Sequence, residues 1–191
     1  MPYEPPPNLA ELTLAQIAEH VAQRKLPPVE AWTPEKSGDS HMRIAGDGTW
    51  FHEGDEIRRP AMVRAFSSLL TRDTNGPGGR GAHWLVTPFE KLSIEVEDAA
   101  FIAVDCEAKD GNLAFRLNSD ELLVAGRDHP LRVAGDRDTP AIYIHVRRGV
   151  EARLNRSTYA QLAEIALESG DESWTVTSQG EAYSLLPEER G

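Results

Sequence analysis

The stretch that decides the fold runs through the middle of the chain. Ala100-Phe101-Ile102-Ala103-Val104-Asp105-Cys106 is followed by Asp110-Gly111-Asn112, then by Leu113-Ala114-Phe115-Arg116-Leu117, then by Leu122-Leu123-Val124-Ala125. These are short apolar runs separated by turn residues, and they read as strands. Asp-Gly supplies the positive backbone φ that a tight hairpin requires. Consecutive strands with no helix between them pair side by side, so the pattern is α+β with antiparallel sheets and not a Rossmann alternation.

Outward from this stretch, both flanks add strands and one helix each. On the N-terminal side, Trp50-Phe51-His52 and Glu56-Ile57-Arg58 flank the turn Glu53-Gly54-Asp55. Pro60 suits the first position of a helix whose apolar face is Val63, Phe66, Leu69 and Leu70. Residues 71–82 read as a Gly-rich loop, with strands at 83–87 and 92–96. On the C-terminal side, strands are expected at 131–134, 141–146 and 150–154, a helix from about Ser157 to Glu168, and a hairpin from Trp174–Thr177 and Glu181–Leu185. Before all of these, Leu9, Leu12, Leu14, Ile17, Ala18 and Val21 keep helical spacing. They predict a helix over Leu9–Arg24, capped by Asn8 with Glu11 and stopped at Pro27-Pro28. Residues 29–41 read as a linker, pinned by the indole of Trp32.

The two halves repeat one another. Trp50-Phe51-His52 matches Tyr143-Ile144-His145, Ile57-Arg58-Arg59 matches Leu154-Asn155-Arg156, and Trp84-Leu85-Val86-Thr87 matches Trp174-Thr175-Val176-Thr177. The expected organisation is an N-terminal helix and linker (1–41) followed by two similar sheet-plus-helix units, 42–108 and 109–191. A cleft between such units is a favoured ligand site.

Composition excludes several functions. The 191 residues carry a formal net charge of −11. A nucleic-acid backbone or an anionic membrane surface would repel such a chain. One cysteine, Cys106, allows neither an intrachain disulfide nor a Cys-rich zinc site. No apolar run reaches membrane-spanning length, and the first residues do not resemble a secretory signal. A cytoplasmic location is expected. Asn75–Gly81 is rich in glycine but follows a helix and lacks the Gly-Lys-Ser/Thr ending of a phosphate loop. The six histidines form no metal motif, and no nucleophile elbow is present. No metal, cofactor or catalytic residue is expected, and the reading leans away from an enzyme.

The arginines are placed more informatively. Arg58, Arg59 and Arg64 gather at one helix start, and Arg147, Arg148, Arg153 and Arg156 at the matching place in the second half. Such clusters are answered either by the protein's own carboxylates or by a small anionic ligand held in guanidinium forks. In the ligand reading, Arg59 and Arg156 hold phosphate with help from Arg58, Arg132, Arg147 and Arg153. Trp50 and Tyr143 offer stacking faces, and His52, Lys91 and His129 stand close in sequence to these groups.

The motifs Asp47-Gly48-Thr49-Trp50-Phe51-His52-Glu53-Gly54, Leu85-Val86-Thr87-Pro88-Phe89-Glu90-Lys91, His129-Pro130-Leu131-Arg132 and Pro140-Ala141-Ile142-Tyr143-Ile144-His145-Val146-Arg147 together resemble a bacterial family, domain of unknown function 1285. The resemblance covers about residues 30–186. It departs at Asn75–Gly81, where the family has a shorter segment, and at Ser119, where glycine is common. It implies a two-part α+β fold whose second part is like a pleckstrin-homology barrel, a nucleotide-like ligand at the domain interface, and a signalling role. The expected function is therefore binding of a small, nucleotide-like anion. The alternative is a protein-interaction module that accepts a peptide or partner at a sheet edge.

Overall fold

The computed structural model describes residues 7–75, 81–170 and 173–187. Five residues of the expected Gly-rich loop, 76–80, lie outside them. A 3-10 turn, Leu9–Glu11, precedes α1 (Leu14–Gln23), and a second turn spans Val29–Ala31. The chain continues through β1 (Lys36–Ile44), β2 (Trp50–His52), β3 (Asp55–Glu56), α2 (Pro60–Ser67), β4 (Leu70–Arg72), β5 (His83–Val86) and β6 (Glu90–Val96). Then follow β7 (Phe101–Lys109), β8 (Asn112–Leu117), β9 (Leu122–Val124), β10 (Leu131–Gly135), β11 (Pro140–Arg147), β12 (Val150–Leu154), α3 (Arg156–Glu168), β13 (Thr175–Ser178) and β14 (Glu181–Ser184). Two six-stranded sheets form, in the orders β3-β2-β1-β6-β5-β4 and β10-β11-β12-β7-β8-β9, and β13 pairs with β14. The fold is mixed α+β.

Three expectations need correction. The predicted helix over 9–24 is a 3-10 turn followed by a shorter helix. Asn8 caps only the turn, through Ala10 N–H. The capping box is Thr13 with Gln16, each side chain taking the other's backbone N–H, a contact worth about 1 kcal/mol. The predicted linker contains the first six residues of β1, a nine-residue strand. Its first four residues are polar or glycine and exposed, so no alternation marks it. It is a strand because it joins the sheet, with Ser40 Oγ donating to the carbonyl of Ser93 at 2.7 Å. Thirdly, the first sheet is not wholly antiparallel. β1 runs parallel to β6, from Lys36 opposite Glu90 to Ile44 opposite Val96, with one register shift after Asp39.

The similarity of the halves stops at a six-stranded sheet with one principal helix. In the first half, α2 joins two strands of the same sheet. In the second half, α3 leads to a separate hairpin. Trp84 on β5 and Trp174 before β13 thus occupy different places.

The chain forms two compact units. Residues 25–101 with 146–151 make the first; 102–145 and 152 onward, with α1, make the second. The principal cut falls at 101/102, where the sequence alone set it at 108/109. The first unit buries Ile44, Trp50, Leu70, Leu85, Ile94, Phe101 and Val150. In the second, Phe115, Ile142, Ile144, Leu154 and Leu162 are buried. There α1 lays Ile17 against a cluster with Leu9, Leu12, Ala114 and Leu122, and Arg24 forms an ion pair with Glu121. The α3 side chain Gln161 satisfies β7, donating to Asp105 at 2.8 Å and accepting from Cys106 N–H at 3.2 Å.

Candidate functional site

The first unit contains a groove of about 660 Å³, within the usual size of small-molecule sites. One wall is the turn after Pro27-Pro28, carrying Glu30 and Trp32. β4 contributes Arg72, the β5–β6 hairpin contributes Val86 and Lys91, and the β11–β12 turn contributes Arg148 and Gly149.

Local chemistry fixes each part. Arg148 and Gly149 have φ of 50° and 75°, the left-handed pair of a tight hairpin turn. That turn docks on β4, where Arg72 N–H donates to Arg148 O at 2.9 Å. The Arg148 side chain, 8 % exposed, lies opposite Glu30 with Nε–Oε1 2.6 Å. Its other nitrogens donate to Ser68 O and Pro27 O, both at 2.9 Å. The same guanidinium holds the Glu30 carboxyl below the usual carboxylate range. Arg72 Nη1 is 3.1 Å from Glu151 Oε2, both side chains well covered. His83, across the ladder from Arg72, is pushed down to about 4, first by burial and then by the Arg72 charge, with Glu151 opposing. Lys91 differs from both arginines. Its ammonium lies 4.3 Å from the centroid of the Trp84 ring, a cation–π contact. Among the described residues no carboxylate pairs with it.

The residues named from the sequence are dispersed. Trp50, His52, Arg58, Arg59, Lys91 and Arg147 belong to the first unit; His129, Arg132, Tyr143, Arg153 and Arg156 belong to the second. Of these only Lys91 lines the groove. Trp50 is 3 % exposed and stacks on Phe66 with centroids 6.4 Å apart, so it is a core residue and offers no face to a ligand. Tyr143 is likewise buried, with the Arg132 guanidinium 4.3 Å from its ring centroid. His52 ends β2, exposed, opposite Asp55. Arg58 is exposed and 3.2 Å from Glu56. Arg59 caps α2 with no side-chain hydrogen bond. Arg147 donates to Ser67 O at 3.0 Å and lies 5.2 Å from the Phe101 ring centroid; burial pushes it down to about 10. His129 Nδ1 bonds His145 O at 3.0 Å. Arg153 and Arg156 are exposed on β12 and at the start of α3.

Sequence reasoning missed Glu30, Arg72 and Trp32 as groove residues, because they lie in segments read as linker and loop. The Arg-Gly pair at 148–149 was the available signal. Glycine after arginine between two apolar runs marks a turn, whose arginine here is buried against Glu30, Ser68 and Pro27. Among the described residues no cluster of His, Cys, Asp and Glu could hold a metal, and no helix is long and apolar enough to cross a membrane. Cys106 is buried, and burial pushes its thiol far above the ordinary value. That removes it as a nucleophile, since the thiolate is the reactive form.

Two family models match the chain. "Domain of unknown function (DUF1285), N-terminal domain" matches residues 27–99, and "Protein of unknown function (DUF1285), C-terminal domain" matches residues 100–185. The crystal structure of a DUF1285 family protein from Silicibacter pomeroyi DSS-3 is 40 % identical, with a TM-score of 0.74 over 91 % of this chain and 94 % of that one. A DUF1285 family protein from Shewanella baltica OS155 shares the fold at 23 % identity, with a TM-score of 0.52 over 64 % of this chain and 90 % of that one. No curated protein matches the chain.

Proposed function

The chain belongs to the DUF1285 family, and from that premise we propose that it is a small-ligand-binding module whose first unit takes an anionic ligand in the groove beside Lys91. The observation that carries this reading is the Lys91 ammonium. It lines a roomy groove in which the other two cations among the described residues already face carboxylates. An unopposed cation in a half-apolar groove favours an anion with an organic body. The nucleotide-like ligand expected from the family resemblance meets that description, with Trp32 in the stacking role first given to Trp50 and Tyr143. The signalling role, the pleckstrin-homology-like second unit and the cytoplasmic location belong to the same proposal.

A nucleotide and sugar-phosphate panel, followed by tryptophan fluorescence, tests it. A ligand with Kd below about 1 mM, corresponding to about −4 kcal/mol, is expected, with at least tenfold loss in Lys91→Ala. Failure of every anion to reach that affinity overturns the reading.

The alternative, a peptide- or partner-binding module, has one observation in its favour. Phe89 is 81 % exposed on a turn made rigid by Thr87 Oγ1, which accepts from the N–H groups of Phe89 and Glu90. An exposed aromatic held in a fixed turn resembles an interface anchor. A stoichiometric complex lost in Phe89→Ser, with no small ligand bound, is the outcome that favours it.

A further inference from the structure

Resting on the groove as an anion site, we infer that its ligand carries a single negative charge on a flat ring, and is not a multiply charged phosphate. The argument is a charge count. Among the described residues, Glu30, Arg72, Lys91 and Arg148 are the charged side chains lining the groove. Arg148 faces Glu30 at 2.6 Å, and two carbonyls take its remaining nitrogens. A ligand reaching this guanidinium must displace a protein acceptor already in place. Arg72 is drawn toward Glu151 at 3.1 Å. These two pairs cancel, and Lys91 is left as one net positive charge on the wall.

The rest of the wall sets the body of the ligand. A groove of about 660 Å³ far exceeds what a bare inorganic ion fills. Val86, Pro34 and the half-buried Trp32 supply apolar and aromatic surface, which suits a planar ring. The first charge of such a ligand meets Lys91, whose three N–H donors are not used up by the Trp84 face. A second charge finds no further cation among the described residues of the wall and meets the Glu30 carboxylate, 67 % exposed on the same wall. Like charges brought together in a partly desolvated site repel. An aryl carboxylate and a cyclic phosphodiester share the required chemistry.

Calorimetric titration of the full chain at pH 8 with 2-naphthoate, 3′,5′-cyclic AMP, AMP and ATP tests the count and separates the two sources. The expected result is that one of the first two binds at least tenfold more tightly than AMP and ATP. Lys91→Gln should abolish that preference. Glu30→Gln raises the net charge of the wall by one and should strengthen AMP binding at least threefold. AMP or ATP binding as tightly as the singly charged probes overturns this inference and leaves the groove as an anion site. An unchanged AMP affinity in Glu30→Gln also counts against it. No binding by any of the four overturns both readings.

Discussion

His83 stands on β5 with Arg72 opposite it on β4, and its ring is held neutral down to about pH 4 by burial and by that arginine. The unfolded chain takes up the proton near the ordinary histidine value of about 6.5. Between these limits the unfolded state binds more protons than the native state, so stability falls as the pH falls. The contribution is fully present above about pH 6.5 and absent below about pH 4. Urea denaturation should show stability dropping from pH 7.5 to 5.5 by about 1 kcal/mol more in the wild type than in His83→Gln. Equal drops would remove His83 from the pH response. At this scale the sequence exposed residue types but not environments. Trp50 and Lys91 both looked like ligand groups. Burial put Trp50 against Phe66, while Lys91 lines the groove with no carboxylate paired to it among the described residues.

The β11–β12 turn is the element on which the groove depends. Gly149 has φ +75°, and a Cβ there would lie 2.8 Å from Arg72 O and 2.9 Å from Thr74 Cγ2. Gly149→Ala therefore meets both left-handed strain and a backbone collision. We expect a loss of about 1–3 kcal/mol, read from the urea midpoint, together with weakened ligand binding through displacement of Arg148. Full retention of stability would show that the turn shifts without cost. Elements with a strong local signal were legible. α3 and the β7–β8 hairpin around Asp110-Gly111 lie where periodicity and turn chemistry placed them, and α2 starts at Pro60 as expected but ends at Ser67, so Leu70 of its expected apolar face opens β4 instead. β1 was not legible, because its polar first half is a strand only through its ladder with β6.

For the whole molecule, a formal net charge of −11 keeps copies apart near neutrality. With a sequence pI of about 5.0, that repulsion vanishes on acidification, and solubility should pass through a minimum near pH 5. Turbidity across a pH series checks this; a minimum far above pH 6 would mean that charged groups titrate well away from their ordinary values.

By itself the sequence determined the class of fold, the succession of most strands and helices, and the acidity of the chain. Each of these follows from local pattern or from summed charge. Tertiary structure alone decided the parallel pairing of β1 with β6, the inclusion of residues 146–151 in the first unit, and the two ion pairs that take up Arg72 and Arg148 beside Lys91. These depend on contacts between residues far apart in the chain. Glu30 with Arg148 and Arg72 with Glu151 are separated by too much sequence for spacing to reveal them.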